Sequence, residues 1–117
     1  MKFSLVIAIV SETLEDKAID IAKANGAGGV TVFKGRGMGL NEKKTFFGLT
    51  YERSESVLMF ILEKRISLKI MKALTQELQL EAHGNGIVFT LPIDHLSGIP
   101  SGQLELFEQH VKQEAQQ

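Results

Sequence analysis

An α+β sandwich built from two βαβ units is the fold class that this chain of 117 residues predicts. Three observations point to it. Four short, β-branched apolar runs, at residues 3–10, 29–33, 57–62 and 87–91, have the length and composition of strands. Stretches with apolar residues at helical spacing separate the first run from the second and the third from the fourth. All four runs are apolar at both parities, as strands buried on two faces are. The order is therefore βαββαβ, with a short helix appended at the C-terminus. Right-handed crossovers fold that order into a ferredoxin-like split βαβ sandwich, four antiparallel strands with both helices on one face.

The first run is interrupted only by Ser4 and reads as a central strand. Thr13 and Asp16 have the spacing of a helix cap and its acidic partner, so the first helix is expected to start at Thr13. Leu14, Ala18, Ile21 and Ala22 form its apolar face, and Asp16, Lys17, Asp20 and Lys23 its solvent side. Asn25-Gly26 is its stop signal. After the second strand, residues 34–53 lose all period. Glycines stand at 35, 37, 39 and 48, and five cations face two anions. Twenty residues without a pattern are uncommon in a compact domain and point to a functional loop. Its part from 36 to 53 is expected to be mobile.

The third strand leads into a second helix, marked by Ile66, Ile70, Met71, Leu74 and Leu78. Lys64-Arg65 opens that helix with charges that oppose its dipole. Residues 80–85 turn the chain into the fourth strand, which Pro92 is expected to end. A linker at 97–102 precedes the final helix with Leu104, Phe107 and Val111, and the end at 113–117 is polar. The domain is thus expected over residues 1–99, with 100–117 as an extension. Two helices cover one sheet face and leave the other for a partner, so an oligomer with facing sheets is expected.

Composition narrows the function classes. With 44% hydrophobic residues the chain can bury a core without a disulfide or structural metal. The absence of cysteine removes thiolate zinc sites, iron–sulfur clusters and cysteine nucleophiles. A net charge of −1 provides no field for nucleic acid or anionic membrane, and the longest apolar run is too short to span a bilayer. No signal peptide is legible, so a cytoplasmic location is expected. His83, His95 and His110 form no i, i+4 ligand pair. Ser11, Ser54, Ser56 and Ser97 lack the glycine turn of a nucleophile. An enzyme is not expected.

Two glycine-rich segments remain, residues 34–39 leaving the second strand and residues 83–86 entering the fourth. Glycine lets the backbone approach a phosphate and aim several N–H groups at it. Gly35, Arg36 and Gly37, together with Gly84, Asn85 and Gly86, are therefore the candidate ligand-binding residues. In this topology the two segments lie at related edges of the sheet, where assembly of subunits can join them. A valine at position 86 would crowd a ligand there.

With those residues in view, the chain resembles the PII signal-transduction family over about residues 1–99. The resemblance is carried by Ala8-Ile9-Val10, by Val30-Thr31-Val32, and by Lys34-Gly35 with Gly37. It continues through the long loop to Gly84 and Gly86 ahead of Ile87-Val88-Phe89, and to Pro92. It implies a homotrimer in nitrogen regulation that needs no cofactor and binds ATP, ADP or AMP as effector in clefts between subunits. The long loop, the family's T-loop, would dock a target protein such as a transporter or enzyme. Lys43, Lys44 and Tyr51 are then the partner and modification residues of that loop, Tyr51 falling where some members carry a uridylylated tyrosine.

The departures bear on affinity. Ile87 follows Gly86 where the family has a phosphate-contacting lysine, residues 97–101 hold neither of two family arginines, and Met38-Gly39 replaces an Arg-Gln pair. Loss of these cations implies weaker nucleotide binding than in members with the full set. Arg36, Lys34 and the Lys64-Arg65 pair are the cations left to compensate. Two other classes share the architecture. One is a CutA-type divalent-metal trimer, favoured by the histidines; the other is a small cofactor-free enzyme, which would need an enclosed pocket with a positioned acid or base.

Overall fold

The computed structural model describes residues 1–39, 53–82 and 85–100, the short strands at 45–46 and 49–50, and helical positions 109 and 112. His83, Gly84, Lys43, Lys44, Tyr51, His110 and most of the expected final helix lie outside the described residues. The elements in chain order are β1 (Phe3–Ser11), α1 (Glu15–Ala24), β2 (Thr31–Gly37), β3 (Thr45–Phe46), β4 (Leu49–Thr50), β5 (Arg53–Glu63), α2 (Lys64–Glu77) and β6 (Gly86–Ile93). Four strands form one antiparallel sheet in the order β2-β5-β1-β6, the ferredoxin-like arrangement. The expected patternless stretch holds a ladder of its own, in which Thr45 pairs with Thr50 and Phe46 with Leu49.

The core lies between the sheet and the helices. Val6, Ala8 and Val10 of β1 and Leu58, Phe60 and Leu62 of β5 are fully covered by Ala18, Ile21 and Ala22 of α1 and by Ile66, Ile70 and Leu74 of α2. These are the apolar faces that the helical spacing marks out.

The local boundaries depart from expectation in four places. A 3-10 turn at Glu12–Leu14 precedes α1, and Thr13 caps nothing, since its hydroxyl lies 3.0 Å from Ser11 Oγ. The helix begins at Glu15, where Glu15 and Asp16 complement the dipole instead. It ends as read, with Gly26 at φ +110°, a conformation that favours glycine. At α2 the basic opening is offset by the preceding residue. The Glu63 carboxylate accepts the Arg65 N–H at 2.8 Å and so caps the helix.

β2 and β5 are both longer than their apolar runs. The segment 34–37 continues the ladder, with Lys34 opposite Ser56, Gly35 opposite Glu55, Arg36 opposite Ser54 and Gly37 opposite Arg53. Pro92 does not end β6, which runs to Ile93 with Pro92 opposite Ser4. β6 is an edge strand with β1 as its neighbour, so a residue without an N–H can sit with that side facing outward.

The second sheet face carries three cross-strand apolar rows: Leu91–Leu5–Ile61, Phe89–Ile7–Met59 and Ile87–Ile9–Val57–Phe33. Ile87 is 58% exposed, Phe33 52%, and Leu91 and Ile61 47% each. Nothing among the described residues covers most of this face; residues 98–100 border its β2 side.

Candidate functional site

The register brings the two glycine segments to the same end of the sheet. Gly86, Val10, Ser56 and Lys34 form one row across all four strands. In the next row Ser11 and Glu55 lead to Gly35, and the Ser11 N–H reaches the Asn85 carbonyl at 3.4 Å. The segments nevertheless sit on opposite edges, with β5 and β1 between them. Three strand spacings amount to about 14 Å. One copy of the chain does not close both segments around one small ligand.

Gly35-Arg36-Gly37 is extended strand rather than a turn. β2 is an edge strand, so every second N–H along it points away from the sheet. Gly35 has open space where a side chain would be. Gly37 does not, because the Glu55 carboxylate occupies that position.

Asn85 and Gly86 have structural duties. The Asn85 side-chain amide donates to the carbonyls of Leu78 (3.1 Å) and Gln79 (3.0 Å), tying the end of α2 to the start of β6. Its backbone N–H is taken by the Ala82 carbonyl at 3.3 Å. Gly86 has φ +137°, and a Cβ there would collide with the Ile9 carbonyl and the Val10 backbone. A valine at 86 would therefore disrupt the β1–β6 ladder before it crowded any ligand.

Lys34 is bound on the helix side of the sheet. Its ammonium donates to Glu15 Oε1 at 2.5 Å and to Ser56 Oγ at 3.3 Å, and lies 3.6 Å from Glu12. The buried Ser56 hydroxyl donates to the same Glu15 oxygen at 2.7 Å. Hydrogen bonds from Lys34 and then Ser56 hold the Glu15 carboxyl below its ordinary value, and the bond to Glu15 raises the Lys34 ammonium above its own. Glu15, Ser56 and Glu55 did not stand out in the sequence, because only the strand register brings them to residues 34–37.

The compensating cations are not all within reach. Lys64 follows the end of β5 and lines a cavity of about 730 Å³ with Lys2, Ser4, Thr90, Pro92 and Asp94, at the opposite end of the sheet from Gly86. A second cavity, about 470 Å³, opens on the uncovered face, with Leu5, Val30, Thr31, Phe33, Met59 and Ile61 in its walls. Ile87, which stands where the family places a lysine, extends the apolar row beside Ile9. Among the described residues, no three histidine or acidic side chains are grouped to hold a metal ion. No helix among them is long and apolar enough to cross a membrane.

The family model of the nitrogen regulatory protein P-II matches residues 3–103. The chain belongs to that family. The match displaces the CutA-type reading, since it covers the sheet, both helices and both glycine segments. Solved structures agree on the P-II fold. The GlnK–ATP complex of B. subtilis is 16% identical with a TM-score of 0.68, covering 86% of this chain and 92% of that one. The PII-like protein TTHA0516 of Thermus thermophilus is 22% identical with a TM-score of 0.60, covering 80% and 87%. CPII of Thiomonas intermedia, a PII-like protein solved with ADP, AMP and bicarbonate, is 16% identical with a TM-score of 0.63, covering 85% and 98%. No curated protein matches the chain.

Proposed function

We propose that this P-II family chain is a cytoplasmic regulator rather than an enzyme, a homotrimer that binds an adenine nucleotide between subunits and signals to a target protein through the loop between β2 and β5. The observation that carries this reading is the division of the candidate site. Two glycine segments lie at one end of the sheet but on opposite edges of an uncovered apolar face. A second copy docked on that face would bury the three apolar rows, and full burial of each large side chain contributes about 1.5–3 kcal/mol. It would also bring the β2 edge of one subunit toward the β6 edge of the next.

The apolar cavity of about 470 Å³ suits a planar heteroaromatic ring, and the outward-pointing N–H groups of the β2 edge beside Gly35 and Gly37 suit a phosphate, which the neighbouring subunit's glycine segment would approach. The nucleotides in the GlnK and CPII structures support that ligand class. Each missing charge-assisted contact is worth roughly 1.5–3 kcal/mol, so binding is expected to be micromolar to millimolar and to weaken with salt. Lys43, Lys44 and Tyr51 are the loop residues proposed to meet the target. Titration calorimetry with ATP, ADP, AMP and cyclic AMP, and separately with divalent metals, tests the reading. Saturable binding of a nucleotide supports it; heat from metals alone, or from no nucleotide, overturns it.

A further inference from the structure

We propose that Glu55 is a specificity-determining residue of this cleft, setting it toward weakly charged nucleotides, a monophosphate over a triphosphate. The inference rests on the nucleotide reading above. An ideal Cβ on Gly37 would stand 2.6 Å from Glu55 Cδ and 2.7 Å from each carboxylate oxygen. The space that glycine leaves beside the strand is thus filled by an anion from the neighbouring strand. Glu55 is opposite Gly35 in the ladder and shares the parity of Val57 and Met59, so it lies on the uncovered face. That is the face on which the apolar cavity opens.

Glu55 is half-buried, and among the described residues no ion pair neutralises it. Lys34, next to Gly35 in sequence, is held by Glu15 on the other side of the sheet, and Arg53, opposite Gly37, is the cation that shares the face of Glu55. At the far edge of the same face Ile87 brings no charge. A phosphate chain laid along Gly35 and Gly37 therefore meets the Glu55 carboxylate, and the repulsion from it grows with every charge the ligand adds. Glycine at 37 lets the carboxylate lie against the strand, since a side chain there would displace it.

The test compares the affinities of AMP, ADP and ATP, without divalent cations, for the wild type and for Glu55→Gln, which keeps the shape and removes the charge. Glu55→Gln should tighten ATP about tenfold and AMP about threefold or less, with ADP between them. The difference should shrink at high salt. Glu55→Ser, which removes the carboxylate and its bulk, should shift the preference in the same direction and serves if the glutamine variant is unstable. An equal change for all three nucleotides, or none, overturns the role of Glu55 and leaves the nucleotide reading standing. Failure of the wild type and both variants to bind any nucleotide overturns the reading and this inference together.

Discussion

Lys34 precedes the glycines of the candidate site, yet its charge is directed at the helix layer. The ammonium, with 57% of its side chain exposed, reaches Glu15, with 20% exposed, and both contact the buried Ser56. This clasp joins the β2 edge to the start of α1. Its pH dependence has a definite sign on each side. Glu15 is held below its ordinary value of 4.5, so its contribution is present above that pH and is lost as pH falls through the lower folded-state value. Lys34 is held above its ordinary 10.5, so its contribution is present below that pH and is lost as pH rises through the higher value. Glu15→Gln should therefore flatten the acid limb of stability against pH while leaving a neutral-pH fold. Urea denaturation from neutral pH down through the carboxylate range measures this, and an acid limb identical to the wild type's would refute it.

At the scale of elements, α2 shows how one residue outside an apolar pattern can decide a boundary. Lys64 and Arg65 put two cations against the positive end of the helix dipole, and the Glu63 carboxylate counters them by accepting the Arg65 N–H. Glu63→Ala should cost about 1 kcal/mol, the usual worth of an N-cap side chain, read as a lower urea midpoint at constant slope. The existence and order of β1, α1, β2, β5, α2 and β6 were legible because each carries an apolar period of five or more residues. Their ends were less so. Residues 34–37 and 53–56 have no apolar period, and they pair because each supplies the other with a partner strand, which a sequence read in one direction does not show. Pro92 and Thr13 obeyed position rather than propensity: one lies on an edge, the other in a 3-10 turn. The candidate site was legible only as glycines. That Asn85 ties α2 to β6, that Gly86 is required by β1, and that Glu55 overlies Gly37 all follow from tertiary register.

Among the described residues of the whole molecule, one sheet face is covered and the other is largely uncovered. Ile61 belongs to the uncovered face and is 47% exposed in the single chain, so an aspartate there leaves the helix-side core untouched. The wild type is expected to sediment as the proposed trimer and Ile61→Asp as a folded monomer, with far-ultraviolet circular dichroism unchanged. A wild type that is monomeric at micromolar concentration would refute the assembly. The placement of the glycine segments on opposite edges has a genetic corollary. A cleft built from the β2 edge of one chain and the β6 edge of its neighbour belongs to neither. A chain defective only around Gly35–Gly37 and another defective only around Gly84–Gly86 would each assemble into inert trimers, but mixed trimers would contain a cleft with two sound halves. Two null alleles of this gene expressed together should then complement each other, while either of them co-expressed with the wild type should lower activity in proportion to the clefts it spoils.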